Sequence, residues 1–315
     1  MTVDLPSGYL VRPPTERDSA AVADVVVAED VADFGEPSFT EEDLLDDWKR
    51  PRFSLERDAW VLSGPTGRVI GYAYVWEAQP ETEIEADAFL MPEYTGRGLG
   101  GYLLDLIERR SVDICRGRSM RLGLYASTVN EAKRALLRRR GFEKTRSVLR
   151  LRIDLESRPP EQPTVPSDVE VRVFDPADSD AVRAVMQEAF EGHHRYTLRR
   201  FDEWLELRLR HPAFDPSLWR VAVAGDEVIG AVLVYDVGRT GYLSSIGVKE
   251  AWRGHGVGPA LLREAFRTLR ERGQMRVVVS MDADAAPATA RLYEEAGMRV
   301  HERYDWFTKT VSSTS

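Results

Sequence analysis

Apolar and polar positions follow two rhythms along this chain, and the same succession of rhythms occurs twice. Alternation at Tyr9-Leu10-Val11-Arg12 and again at Val169-Glu170-Val171-Arg172 predicts a first strand in each half. A Pro- or Asp-rich turn follows each strand. Apolar residues at helical spacing come next, Ala21, Val22 and Val25 in one copy and Ala181, Val182 and Val185 in the other. Trp60 and Trp219 open matching strands. A hairpin turn in each half, Gly64-Pro65-Thr66-Gly67 or Gly225-Asp226, leads into Val69-Ile70-Gly71 or Val228-Ile229-Gly230. A third strand then runs into a glycine-rich turn and a helix, carrying Leu103 and Ile107 in the first half and Leu261, Leu262, Ala265 and Phe266 in the second. Each half finishes with a strand, an apolar helix, a break at Gly141-Phe142 or Gly297-Met298, and a closing strand.

That order predicts an α/β fold with a mixed sheet in each half. Three strands form a meander. The strands flanking the glycine turn and its helix become parallel neighbours through a right-handed crossover, and helices cover both faces. Between the halves, Pro159, Pro160, Pro163 and Pro166 crowd one short segment that can continue neither helix nor central strand. The predicted organisation is therefore a domain over 1–156, a linker over 157–167 and a second domain over 168–315. The polar tail Val311-Ser312-Ser313-Thr314-Ser315 is expected to lie outside the fold.

Composition narrows the class. The chain has 315 residues, 43% hydrophobic and 30% charged, with a net charge of −9, a balance that suits a globular protein and disfavours a general nucleic-acid surface. The lone Cys115 excludes an internal disulfide and any multi-cysteine metal site, and its apolar helical neighbours predict a packed thiol. No third His or Cys stands at ligand spacing near His193 and His194, so no metal is expected. The N-terminus lacks the basic and apolar regions of a secretory signal, and no run is long enough to span a bilayer; a cytoplasmic protein, monomer or homodimer, is expected.

The candidate chemistry sits in the repeated turns. Thr95-Gly96-Arg97-Gly98-Leu99-Gly100 and Arg253-Gly254-His255-Gly256-Val257-Gly258 keep one glycine frame, with Gly256 about 158 positions after Gly98. Glycines let a backbone approach an anion closely, and the first amides of a helix have no partner within it, so a diphosphate suits the site. Residues 96–101 also satisfy the dinucleotide pattern GxGxxG, but that turn lies in mid-domain and the second copy has Pro259 where the third glycine belongs. No Gly-Lys-Ser/Thr follows either turn, as a P-loop would need. Tight turns with no ligand would explain one copy better than two.

The frame Val248-x-x-x-x-Arg253-Gly254-x-Gly256-x-Gly258 resembles the acetyl-CoA-binding signature of the GCN5-related N-acetyltransferases, Arg/Gln-x-x-Gly-x-Gly/Ala. The resemblance covers both halves, as in the tandem, mycothiol synthase-like branch of that family. It implies acetyl-CoA as co-substrate, its diphosphate on the turn and its pantetheine along a splayed strand edge. That edge would be Ile246, Gly247 and Val248 in the second half, and Phe89 and Leu90 in the first.

The resemblance also implies a tyrosine on the late helix that protonates the departing thiolate. Tyr293 stands at that position, and Leu137 stands there in the first half. A leucine cannot donate a proton, and Thr95 replaces the Arg/Gln, so the second half is expected to catalyse while the first holds acetyl-CoA at most. The glutamate the resemblance implies on the strand before the turn is replaced by Tyr242, and the late-loop asparagine by Ala286, although Asn130 is present in the first half. Asp236, Asp282 and Asp284 are then the possible bases, each equally readable as a capping or surface residue. His193, His194 and Tyr196 either border the acceptor pocket, where the resemblance implies it, or belong to the surface or core. The expected activity is direct acetyl transfer from acetyl-CoA to the primary amine of a small molecule, with a CoA-binding regulatory or scaffolding protein as the alternative.

Overall fold

The computed structural model describes residues 5–79, 82–157, 167–191, 208–209, 214–237 and 240–312. The chain forms two compact units: Met1–Val148 together with Glu302–Ser315, and Leu149–His301.

In the first unit a sheet runs in the order β1 (Leu10–Arg12), β2 (Ala59–Ser63), β3 (Val69–Gln79), β4 (Glu83–Leu90), β5 (Ser119–Ser127), β12 (Arg299–Ser312). Neighbours are antiparallel except β4 and β5, which pair in parallel from Glu83↔Arg121 to Ala86↔Leu124 and then part. Helices α1 (Ser19–Phe34) and α4 (Leu99–Cys115) pack on β3 and β4. Val22, Val25 and Val26 of α1 and Leu99, Leu103, Leu104 and Ile107 of α4 are buried, as their spacing predicts. The remaining helices of this unit are α2 (Glu41–Asp47), α3 (Leu55–Asp58) and α5 (Glu131–Arg139). Cys115 is fully buried, its thiol 3.5 Å from the Val311 carbonyl, which is the packed role expected of it.

The second unit repeats the plan with β7 (Glu170–Val173), α6 (Ser179–Ala189), β8 (Arg220–Ala224), β9 (Glu227–Val237), β10 (Thr240–Val248), α7 (Val257–Glu271), β11 (Arg276–Asp282) and α8 (Pro287–Glu295). Its parallel pair is β10 with β11, joined from Thr240↔Arg276 to Tyr242↔Val278. A bulge between Leu243 and Ser245 interrupts the β9–β10 ladder, and the unit 1 strands have no such break at the corresponding place. The same device opens both units: Arg12 clasps Asp18 through bonds of 2.8 and 2.7 Å, and Arg172 clasps Asp178 through bonds of 2.7 and 2.8 Å.

The α/β mixed-sheet plan therefore appears twice, as the residue pattern indicates. The closing strands depart from the sequence-contiguous domains. Strand β6 (Glu143–Asp154) starts in the first unit and ends in the second, where it lies beside β11 and Leu155 N–H donates to the Met275 carbonyl at 2.8 Å. The end of β12, the last strand of the chain, belongs to the first unit, paired with β5 from Tyr304↔Ser127 to Ser312↔Ser119. Alternating apolar residues specify a strand but not its neighbour, so this exchange leaves no local mark in the sequence. The tail expectation also fails in part: Val311 is buried in that strand, because its side chain completes the first core. The proline-rich segment 158–166 lies outside the described residues.

Candidate active site

The two glycine turns have the same backbone. Gly96 and Gly98 have φ of 82° and 82°, and Gly254 and Gly256 have 80° and 84°, a left-handed conformation that favours glycine. The residues before them, Thr95 and Arg253, are both extended. Gly98 and Gly256 are the N-caps of α4 and α7, and neither helix start has a side-chain cap. The first-turn amides of Leu99 and Gly100, and of Val257 and Gly258, are thus left to an outside acceptor. No atom lies within 4 Å of where a Cβ would stand on Gly96, Gly254 or Gly256, so the space above each turn is open. Open space, uncapped amides and the positive end of a helix fit the diphosphate of acetyl-CoA.

Side chains around the turns differ. Arg253 is exposed and bonded through Nε to the Val248 carbonyl at 3.1 Å, which fixes it beside the end of β10. Arg97 folds back instead, donating to the Glu93 carbonyl at 3.0 Å with its guanidinium 4.8 Å from the Tyr94 ring. His255 is exposed, with Nδ1 3.0 Å from the Arg253 carbonyl.

The strand edges diverge as well. Beyond Tyr242, β10 has no β11 partner, so the stretch through Ile246, Gly247 and Val248 runs along an edge opened by the parting of the parallel pair. A Cβ on Gly247 would come 2.9 Å from Ala189 Cβ and 3.0 Å from Met186 Sδ, so α6 can sit on this strand only because the residue is glycine. In the first unit, β4 parts from β5 after Ala86, but buried charge crosses the edge. Lys133 Nζ lies 2.9 Å from Glu29 Oε1, 2.8 Å from Asp87 Oδ1 and 4.8 Å from the Phe89 ring centroid, and Leu90 N–H donates to Glu29 at 3.4 Å. Burial pushes the Asp87 carboxyl up to about 6 against the pull of Lys133.

Late helices α5 and α8 sit in equivalent positions. Leu136 Cδ2 lies 3.2 Å from a Cβ built on Gly100, and Leu292 Cδ1 lies 3.3 Å from one built on Gly258. Each leucine thus meets the third glycine of its turn, which makes Leu137 and Tyr293, the next residue in each helix, structural equivalents. Both are buried.

Of the possible bases, Asp236 pairs with Gly241 at the end of β10 far from the turn, accepts a hydrogen bond from Gln274 and has its pKa raised by burial. Asp282 is buried at the end of β11 and Asp284 is exposed. In strand register Tyr242 opposes Tyr235 in the second unit, as Glu85 opposes Trp76 in the first, so the missing carboxylate has a counterpart in the other half. Asn130 caps α5, accepting from Lys133 N–H at 3.0 Å, while Ala286 leaves α8 without a side-chain cap. His193, His194 and Tyr196 lie outside the described residues.

One group was missed by sequence reading. Ser244 falls in the β10 bulge, and its Oγ is buried with no hydrogen-bond partner among the described residues. A bulge depends on pairing between strands, so no local signal announces it. Among the described residues no cluster of three or more His, Cys, Asp or Glu side chains is placed to hold a metal ion.

Comparison with known proteins agrees with this geometry. Residues 9–143 match the acetyltransferase (GNAT) domain and residues 179–298 the acetyltransferase (GNAT) family. A mycothiol acetyltransferase of Acidothermus cellulolyticus is 33% identical over 252 residues, spanning 74% of this chain and 73% of the relative. Another, from Catenulispora acidiphila, is 28% identical over 304 residues, spanning 91% and 94%. The crystal structure of a GCN5-related N-acetyltransferase from Sphaerobacter thermophilus superimposes with a TM-score of 0.83 at 29% identity, over 99% of this chain and all of that one. The chain belongs to the GCN5-related N-acetyltransferase family, with two such domains in tandem, and is an acetyl-CoA-dependent N-acetyltransferase.

Proposed function

We propose that acetyl transfer takes place in the second unit and that its acceptor is the primary amine of a small molecule. The observation that carries this is the equivalence of Tyr293 and Leu137 around otherwise matching turns. When bound, acetyl-CoA supplies the thioester. Val257 and Gly258 amides hold its diphosphate, and Arg253 adds a positive charge beside the same turn. The open edge of β10 gives its amide arm backbone groups to pair with. Tyr293 holds a proton on its phenol for the departing thiolate. The Ser244 hydroxyl, without a partner among the described residues, accepts a hydrogen bond from the incoming amine and orients it.

In the first unit the Glu29–Lys133–Asp87 cluster covers the matching edge and no proton donor replaces Tyr293, which supports a non-catalytic role. The relatives are named for mycothiol. Tyr242 and Ala286 stand where the resemblance implies glutamate and asparagine, and that favours an amine other than theirs.

Matched turn variants test the reading in the full chain. Asp is tolerated at positive φ better than most residues, and it would set a negative charge against the diphosphate. Gly256→Asp is expected to abolish thiol release from acetyl-CoA across a panel of primary amines, while Gly98→Asp stays within about twofold of wild type. Loss of turnover with Gly98→Asp but not Gly256→Asp would place the reaction in the first unit.

A further inference from the structure

In the first unit, the strand edge that an amide arm would meet is already bonded. Along an antiparallel strand the amides of alternate residues face one neighbour, and those between them face the other side. Met91 N–H, just past β4, donates to the Ile70 carbonyl at 2.8 Å, so Ala88 and Leu90 direct theirs to the side where β5 has parted. Both meet carboxylates there. Leu90 N–H donates to Glu29 and Ala88 N–H donates to Asp87 at 2.8 Å. Lys133 Nζ bridges these two acids, and all three side chains are at most 15% exposed. Asn130 fixes the start of the helix that carries Lys133, accepting the Lys133 N–H and donating to Asp33 at 3.3 Å.

None of the three charges has a counterpart in the second unit. Glu29 and Ala189 stand at the same distance from the helix starts Ser19 and Ser179. Asp87 opposes Tyr74 and Ser245 opposes Leu233, at equal offsets from the pairs Gly71↔Leu90 and Gly230↔Val248. Lys133 is the third residue of α5 and Thr289 the third of α8. An ion triad in one unit is thus replaced by alanine, serine and threonine in the other. The Ala189 methyl lies close over Gly247, where no carboxylate can reach the strand.

We infer that Glu29, Asp87 and Lys133 close the first unit to the amide arm of acetyl-CoA, so that the chain takes up one acetyl-CoA and not two. The inference rests on the reading that this arm pairs with the open edge of β10 in the second unit. An arm pairing with Leu90 would have to displace Glu29. Lys133 would then lose a counter-charge while its ammonium stayed out of bulk water, a cost the second unit never meets. The glycine turn alone does not retain the cofactor, because its thiol arm has no edge to follow.

Calorimetry on the full chain with acetyl-CoA is expected to give one equivalent for wild type and none for Gly256→Asp. Glu29→Ala/Asp87→Ser/Lys133→Thr, which installs the second unit's residues, should raise the value to two. Hydrogen exchange supplies a readout that needs no variant: saturating acetyl-CoA should protect residues 246–248 and leave 88–90 unchanged. Two equivalents in wild type, protection at 88–90, or one equivalent in the folded triple variant would overturn the inference. Binding is read here without turnover. Two equivalents combined with loss of turnover in Gly256→Asp alone would sink this inference and leave the chemistry in the second unit.

Discussion

Ser244 shows what a single residue can cost and supply. A buried hydroxyl without a partner forfeits about 1–3 kcal/mol relative to one that is hydrogen-bonded. Ser244→Ala is therefore expected to stabilise the second unit by about 1 kcal/mol in urea unfolding while lowering kcat/KM for acetyl transfer. A variant that is less stable and equally active would remove Ser244 from the site. The glycines were legible where this serine was not. Gly254 and Gly256 stand in a frame that one chain repeats, and their φ values confirm the turn it describes. The bulge holding Ser244 arises from the offset of β10 against β9, which no single stretch of sequence encodes.

At the scale of elements, each unit begins with a strand, a turn and a helix tied by one bidentate pair, Arg12 with Asp18 or Arg172 with Asp178. The guanidinium holds each carboxyl below the usual carboxylate range, and backbone bonds from Thr15 or Asp175 act in the same direction. With folded values depressed, the stabilisation is present above about pH 4 and is lost as pH falls through the folded values. The arginines are substantially exposed, so each pair is worth about 1 kcal/mol at neutral pH. Unfolding free energies measured from pH 7 to pH 3 should fall less steeply for Asp18→Asn/Asp178→Asn than for wild type. Parallel slopes would mean the pairs contribute nothing. The arginines fall in the repeated strands and Asp175 in the Asp-rich turn, so the elements were readable, but the pairing itself required the folded turn.

Over the whole molecule, the sequence halves and the compact units do not coincide. Phe307 and Val311 are buried in the first core although they lie near the end of the chain, and Asp305 is bonded there to Ser147, Arg134 and Lys144. Losing a buried phenylalanine alone costs about 3–5 kcal/mol, a large part of a domain's stability of about 5–15 kcal/mol. A chain ending at His301 should therefore unfold in its first unit. Hydrogen exchange would show this as lost protection in β2, β3 and β4, with protection kept in β8 and β9. Retained protection in β3 would show that β12 is dispensable. The proline-rich segment and the duplicated pattern made two domains legible. They left the owner of each closing strand open, because alternation is equally satisfied beside either neighbour.

The assignment of chemistry to the second unit is tested most directly by Tyr293→Phe in the full chain, with kcat measured by thiol release at saturating acetyl-CoA and acetyl-CoA affinity measured by calorimetry. Loss of a general acid lowers kcat by about a hundredfold or more, and the phenyl ring preserves the packing around Leu292 and Gly258, so affinity should stay within about twofold. Unchanged kcat would contradict the account.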